Sequence, residues 1–256
     1  MDTGVYTAAS AMLAQFNIEN NIADNLANME TPGYKAQQGV IQDFSQVLAG
    51  TTNAYGEPVS LQANLVGNTG QAPTVRDYGL DLSMGAPKHT GSSLDLMVAG
   101  NAFFKVKSGT QTLLTRNGNF QRSATGDLIT NNGYQVLDSN GKVIKVPQGD
   151  LTIDRNGQLS VNGKPGVTIG LAQVATGQPL AEVGGGYYVG PGTAVKAGTQ
   201  GIAVLQGYLE GSNVDMTAQT TAMMSAQRAY EAASKMLQIE DATVGLAVND
   251  FGKVNA

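Results

Sequence analysis

The chain has 256 residues, of which 14% are charged, a formal net charge of -5, no cysteine and a single histidine, His89. Without thiols there can be no disulfide, thiolate nucleophile or sulfur-ligated zinc; one imidazole leaves little for a transition metal, and no basic patch suits a phosphate backbone. No apolar run approaches the roughly 18 residues of a membrane span and no basic-then-apolar leader opens the chain, so neither a membrane span nor export by a cleaved signal is expected.

The first thirty residues read as a helix. From Val5, steps of four and three residues give Ala9, Met12, Phe16, Glu19, Ala23 and Leu26, a stripe that stays on one face when a helix supercoils. Thr31-Pro32-Gly33 ends it, because proline disfavours helix at the residue before it. Val40 to Leu48 suggests a short helical piece. Residues 50 to 74, rich in Thr, Asn, Gly, Gln and Pro, read as a loop or extended connector longer than the usual connection.

From about Val75 to Tyr208 the signal changes to short strands. Asn-Gly pairs at 117/118, 132/133, 140/141, 156/157 and 162/163, with Thr125-Gly126-Asp127 among them, separate segments rich in Val, Ile, Leu, Phe, Tyr and Thr. Asn-Gly readily adopts the positive φ angles of two-residue primed turns, so tight antiparallel hairpins in a meander or barrel-like sandwich are expected. Phe103-Phe104 reads as core and strand edge. Gly184-Gly185-Gly186 and Gly190-Pro191-Gly192 then interrupt the pattern, and Ile202 to Leu209 supplies the last strand.

From Ser212 to about Asn249 there is no proline and no glycine until Gly245, which predicts one helix about 57 Å long. Ser212 followed by Asp215 is a start signal, since a hydroxyl accepts from a free amide while the acid sits near the positive helix end. Ala218, Ala222, Ser225, Ala229, Ala232, Met236, Ile239, Thr243 and Leu246 form the matching stripe. It is narrow and mostly small. Such a seam admits another helix closely but buries too little apolar area to hold this one against a single surface, so helical partners are expected.

Patterns that carry chemistry fail on context. The glycine triplet lacks the Gly-Lys-Ser/Thr ending of a phosphate loop. Ser139 and Lys142 have the S-x-x-K spacing of a serine nucleophile but lie on an Asn-Gly turn, whereas that chemistry needs one helical face. His89 reads as a solvated loop residue with no Ser, Cys or ligand set beside it. Asp77, Asp81, Asp95, Asp127, Asp138, Asp150 and Asp154 are scattered. No catalytic, cofactor or metal site is assigned, and neither nucleic acid nor a small-molecule substrate is expected.

The segment Ile22-Ala-Asp-Asn-Leu-Ala-Asn-Met-Glu-Thr-Pro-Gly-Tyr-Lys35 resembles the N-terminal signature of bacterial flagellar basal-body rod and hook proteins, close to NNLAN, two spacers, TPGF or TPGY, and a basic residue. Asp24 stands where the family often has Ala, Ser or Asn. At the other end, Gly207 to Asp215 (GYLEGSNVD) and Gln227-Arg-Ala-Tyr-Glu231 resemble the lead-in and core of the family's terminal helix. Gly100 to Val106, Thr115 to Phe120 and Gly126 to Tyr134 are similar to strand motifs of the FlgF and FlgG rod subgroups. Met1-Asp2, Val5-Tyr6-Thr7-Ala8 and Gly211-Ser212-Asn213 lean towards the FlgF-type proximal rod, while Phe103-Phe104 is closer to the FlgG-type distal rod.

The resemblance implies a structural subunit of the flagellar drive shaft, without enzymatic activity, passed through the flagellar type III export apparatus and polymerised outside the inner membrane with copies of itself and other axial proteins. The fold class expected is α+β: terminal helices in a coiled-coil-like bundle around an all-β centre. The expected divisions are 1–35, a connector 36–75 bracing adjacent copies, 76–208 and 209–256. The expected assembly interface holds Val5, Ala9, Met12, Phe16, Ala23, Asn25, Leu26 and Asn28 at one end and Ala222, Ala229, Ala232, Met236, Ile239 and Leu246 at the other. Family-motif positions are Thr31, Pro32, Gly33, Tyr34, Ser212, Asn213, Val214, Gln227, Arg228 and Tyr230. The competing classes are a secreted β-domain binding module and a wall hydrolase with helical flanks.

Overall fold

The computed structural model describes residues 2–43, 73–174, 180–190, 192–195 and 201–254. Two compact units emerge: one of Met1–Leu26, Gln37–Gly79 and Met216–Ala256, the other of Ala27–Ala36 and Leu80–Asp215. The fold is α+β.

The first unit holds two helices, α1 (Asp2–Ala27) and α2 (Met216–Val254), with the two-stranded sheet of β1 (Gln37–Asp43) and β2 (Pro73–Leu80). The helices run antiparallel. Gly4 lies beside Glu240, Gln227 Nε2 donates to Glu19 Oε1 at 3.1 Å, and Asn25 Nδ2 donates to Gln219 Oε1 at 3.4 Å. The short helical piece expected from Val40 is strand as far as Asp43, and of the loop or connector expected over 50–74 the residues from Pro73 begin β2; residues 44–72 lie outside the described residues. Helix α1 stops at Ala27, four residues before the expected end, because Asn28 turns the chain: its carbonyl accepts from Thr31 N at 3.1 Å and its side-chain oxygen from Thr31 Oγ1 at 3.2 Å. Helix α2 starts at Met216, not Ser212. Ser212 Oγ accepts from Val214 N at 3.3 Å in a turn that precedes the helix, and Asp215 takes the N-cap position.

The second unit is antiparallel throughout its described ladders. Its largest sheet has nine strands, with the hairpin of β5 (Phe103–Ser108) and β6 (Gln111–Thr115) at its centre. β5 shows why this residue order makes a strand with two packed faces. Phe104 and Val106 point into the main core with Leu96, Val98, Phe120, Ile144 and Leu171, while Phe103 points to the opposite face against Tyr188, Ala172 and Val174. Edge-to-face ring pairs, Phe104 on Phe120 at 5.0 Å and Phe103 on Tyr188 at 6.0 Å, lock both sides. A three-stranded sheet, β10 (Leu151–Ile153), β11 (Gln158–Val161) and β12 (Lys164–Thr168), adds Leu151, Ile153 and Leu159 to the main core.

The turns follow a rule different from the one expected. Only Asn162-Gly163, between β11 and β12, has both residues at positive φ, 52° and 74°, as a two-residue primed turn requires. At Asn132-Gly133, Asn140-Gly141 and Asn156-Gly157 only the glycine is left-handed, and its amide donates three residues back, to the carbonyls of Thr130, Asp138 and Asp154. The side chain of that same residue accepts the amide after the glycine: Thr130 from Tyr134 at 3.2 Å, Asp138 from Lys142 at 2.8 Å, Asp154 from Gln158 at 2.8 Å. Ser123 does the same for Asp127 at 3.0 Å. The recurring unit is therefore a small polar residue, two spacers and a left-handed glycine. Ser139 and Lys142 belong to one of these turns.

Asn117-Gly118 is no hairpin, for β6 and β7 (Phe120–Arg122) do not pair. Gly118 lies against the backbone of Leu96, where a built Cβ would fall 1.6 Å from the carbonyl oxygen. Gly118→Ala is expected to cost at least about 3 kcal/mol, because the collision is with buried backbone. Gly109→Ala, at φ +60 with nothing within 4 Å, should cost only the roughly 1 to 2 kcal/mol of a left-handed alanine. Urea titrations of the two variants distinguish them.

Candidate functional site: the anchored chain ends

In the β unit, both family-like terminal motifs converge on one buried carboxylate. Glu210 ends β18 (Tyr208–Glu210), which pairs with β3 (Pro87–His89). Its Oε1 accepts from Lys35 Nζ at 2.6 Å and from Gly85 N at 3.0 Å; its Oε2 accepts from Arg116 Nη1 at 3.3 Å. All three charged side chains are at most 1% exposed. Lys35 Nζ also donates to the Ser83 carbonyl, Arg116 Nη1 to that of Val98 at 3.3 Å, and the guanidinium stacks 4.8 Å over the Phe103 ring. Burial pushes the Lys35 ammonium and the Arg116 guanidinium below their ordinary values, against the opposing pull of Glu210. Burial, reinforced by the Glu182 carboxylate, raises the Tyr188 phenol well above its usual range.

The backbone around this carboxylate explains the motif residues. Gly33 N donates to the Glu210 carbonyl at 2.8 Å, and at φ +70 a Cβ there would lie 2.4 Å from the Arg116–Asn117 backbone, so TPGY needs its glycine. Thr31 makes the turn with Asn28, Pro32 is half-buried beside it, and Tyr34 is 1% exposed. Asn213 Oδ1 accepts from Ala36 N at 2.7 Å and its Nδ2 donates to the Asp81 carbonyl at 2.8 Å, while Asp81 N donates to the Ala36 carbonyl at 2.9 Å. One asparagine side chain thus ties residues 36 and 81 to the lead-in of α2. Val214 beside it is half-buried.

In the helical unit, Asn25 is the matching anchor. Buried to 1% exposure, it donates to the Gln37 carbonyl at 2.8 Å and accepts from Gln37 N at 2.9 Å, standing in for a strand partner at the start of β1. Ala8, Ala14 and Ile22 are buried on α1 and Ala226 on α2, with Met223, Ala229, Ala233, Leu237 and Val244 half-buried. The faces read from the sequence lie beside these. Ala9, Met12 and Leu26 are half-buried, whereas Val5, Phe16 and Ala23 on α1 and Ala222, Ala232, Met236, Ile239 and Leu246 on α2 are exposed; Ile239 and Leu246 reach 66% and 68%. Gln227 binds Glu19, and Arg228 and Tyr230 face outward.

Sequence reading did not single out the Lys35–Glu210–Arg116 group as a unit. Its partners lie 175 and 94 residues apart, and the only hint is a lone charge in otherwise uncharged, strand-like surroundings. His89, read as a loop residue, ends β3 and meets the Tyr208 ring edge-on at 4.9 Å. Among the described residues no cluster of His, Cys, Asp or Glu fits a metal, and no helix is long and apolar enough to cross a membrane.

Long terminal helices, an antiparallel β unit and anchored motifs at both ends define a structural subunit, and comparison with known proteins gives its family. Residues 5–35 match the flagella basal body rod protein family, 97–161 the flagellar hook protein FlgE/F/G D1 domain, and 205–248 the flagellar basal body rod FlgEFG protein C-terminal family. The chain is 34% identical to the flagellar basal-body rod protein FlgG of Bacillus subtilis over 89% of its length and 91% of that protein. It is 35% identical to FlgG of Caulobacter vibrioides over 92% and 94%, and 28% identical to FlgF of Rhizobium meliloti over 98% and 99%. The chain belongs to the flagellar basal-body rod protein family. It is a structural rod subunit of the flagellar basal body.

Glu210→Gln leaves two buried cations without a counter-charge and is expected to destabilise the β unit by about 3 to 5 kcal/mol. Adding Lys35→Met should cost less than the sum of the two single changes, because the partners share one network; urea titrations of the four proteins form the cycle. Because the Tyr188 phenol is raised in the folded state, the unfolded chain loses this proton first as pH rises past about 10. Stability intact below that pH falls above it, and Tyr188→Phe should flatten that part of the slope in urea titrations between about pH 9 and 11.

Proposed function

We propose that copies of this chain polymerise through the open faces of α1 and α2 into the helical wall of the rod, and that this wall transmits torque. One observation carries the reading. After the two helices have paired, Leu13 and Phe16 on α1 and Met236, Ile239 and Leu246 on α2 remain more than half exposed. Apolar residues aligned along two helices and left uncovered mark an interaction surface. Their spacing suits further helices, and the small residues that precede them on α2, Ala222, Ser225, Ala229 and Ala232, allow close approach. A repeated head-to-tail contact that does not close on itself generates a helical tube. The partners are other copies and other flagellar axial proteins, and the chain reaches them through the flagellar type III export apparatus. Stiffness under torsion then comes from many helical seams in parallel.

Ile239→Asp or Ala232→Asp is expected to abolish incorporation into basal bodies and motility, since a carboxylate buried in such a seam has no partner. The urea transition of the β unit should stay unchanged in both variants. Normal motility with either substitution would overturn the reading. Cysteines introduced at Phe16 and Met236, in a chain that has none of its own, should cross-link adjacent copies in assembled rods and leave the dilute protein monomeric.

A further inference from the structure

The segment that carries Glu210, β17 (Ala203–Gln206) followed by β18, comes late in the chain yet lies inside the β unit. β17 pairs along its full length with β4 (Leu96–Ala99), from Ala203↔Ala99 to Gln206↔Leu96. Val204 N also donates to the Arg155 carbonyl at 3.0 Å. Ile202 and Val204 are 1% exposed, within the same core as Leu96, Val98 and Phe104. The Gln206 side chain joins two further segments, donating to the carbonyls of Ser93 at 2.8 Å and, in β10, Leu151 at 2.9 Å, and accepting from Ile153 N of β10 at 3.1 Å. Gly207 N reaches the Asp95 carbonyl at 2.8 Å and Gly211 N that of Ala86 at 2.9 Å. Glu210 then pairs with both Lys35 and Arg116.

Without residues 202–211 the unit loses more than one edge strand. β4, whose Leu96 and Val98 are fully buried when the segment is in place, loses its ladder partner, and two cations that the core encloses lose their carboxylate. Uncovered apolar strand and uncompensated buried charge both oppose closure. The hairpins made earlier along the chain, β5–β6 among them, are local pairs that hold little stability alone in water.

We infer that residues 202–211 are a closing strand: the β unit becomes native in one step, when this segment docks, and not progressively as its hairpins are made. A chain delivered from its N-terminus then stays open until about residue 211 has emerged. For a subunit threaded through a channel, this keeps the bulky part from folding inside it. That consequence rests on the export reading above; the closing strand itself does not.

Pulsed hydrogen exchange during refolding of the full-length protein tests the device. The amides of Phe104, Lys105 and Val106 in β5 should gain protection with the same rate constant, within about twofold, as those of Val204, Gly207 and Gly211. Protection of the β5 amides ten times faster or more would overturn the inference. Val204→Ala, which keeps Glu210, should slow protection at both sets by one common factor; slowing confined to residues 202–211 would also overturn it. Simultaneous protection supports the closing strand even if secretion assays show that the chain does not pass through the flagellar channel, a result that would remove only the export reading.

Discussion

A single carboxylate compensating two buried cations is the constraint on which the β unit depends. Placing Lys35 and Arg116 out of water is unfavourable, and Glu210, bonded through both oxygens and backed by Gly85 N, offsets that cost only where all partners meet at once. Such a group adds little net stability over a well-packed apolar core. What it adds is selectivity, since a register slip in residues 33–36 or in β18 would leave a charge unmatched. Gly33 and Asn213 serve the same arrangement, the one by giving the backbone room, the other by binding residues 36 and 81 together.

The helical unit obeys the opposite logic. Its described contacts are partly polar, with a bidentate amide from Asn25 to Gln37 and a Gln227–Glu19 pair, and residues such as Ala8, Ala14, Ile22 and Ala226 form the buried face. Alanine seams bring helices close without burying much area. The larger apolar side chains, Phe16, Met236, Ile239 and Leu246, are exposed instead. The β unit buries its large apolar side chains within the chain whereas the helical unit leaves several of its own uncovered, and the two kinds of packing divide along that line.

Within the β unit the local chemistry is repetitive. Ser123, Thr130, Asp138 and Asp154 each open a turn with a left-handed glycine three residues on, and each side chain accepts an amide inside it. The Asn-Gly dipeptide alone does not distinguish these turns from the two-residue primed kind, because a left-handed glycine appears in both, and a small polar residue three positions before the glycine does not either, since Ser160 stands there in the primed turn. Gly118 belongs to neither class. Its glycine answers a close approach by the Leu96 backbone, some twenty residues earlier, which no local pattern records.

The sequence by itself determined the two terminal helices, the change to short antiparallel strands between them, most turn sites and the family, because helical period, strand composition, glycine placement and the signature stretches are all local properties. It also placed a regular stripe of small and apolar residues on each helix. Which face each helix turns to its own chain was decided in three dimensions: a four-three repeat fits neighbouring faces of an alanine-rich helix almost equally, and contacts such as Gln227 with Glu19 and Asn25 with Gln37 select one. The start of α2 at Met216 was decided there too, since Asn213 is held by residues 36 and 81. So was the meaning of Lys35, Arg116 and Glu210, ordinary charges along the chain that become one buried group only when strands far apart in sequence are brought together.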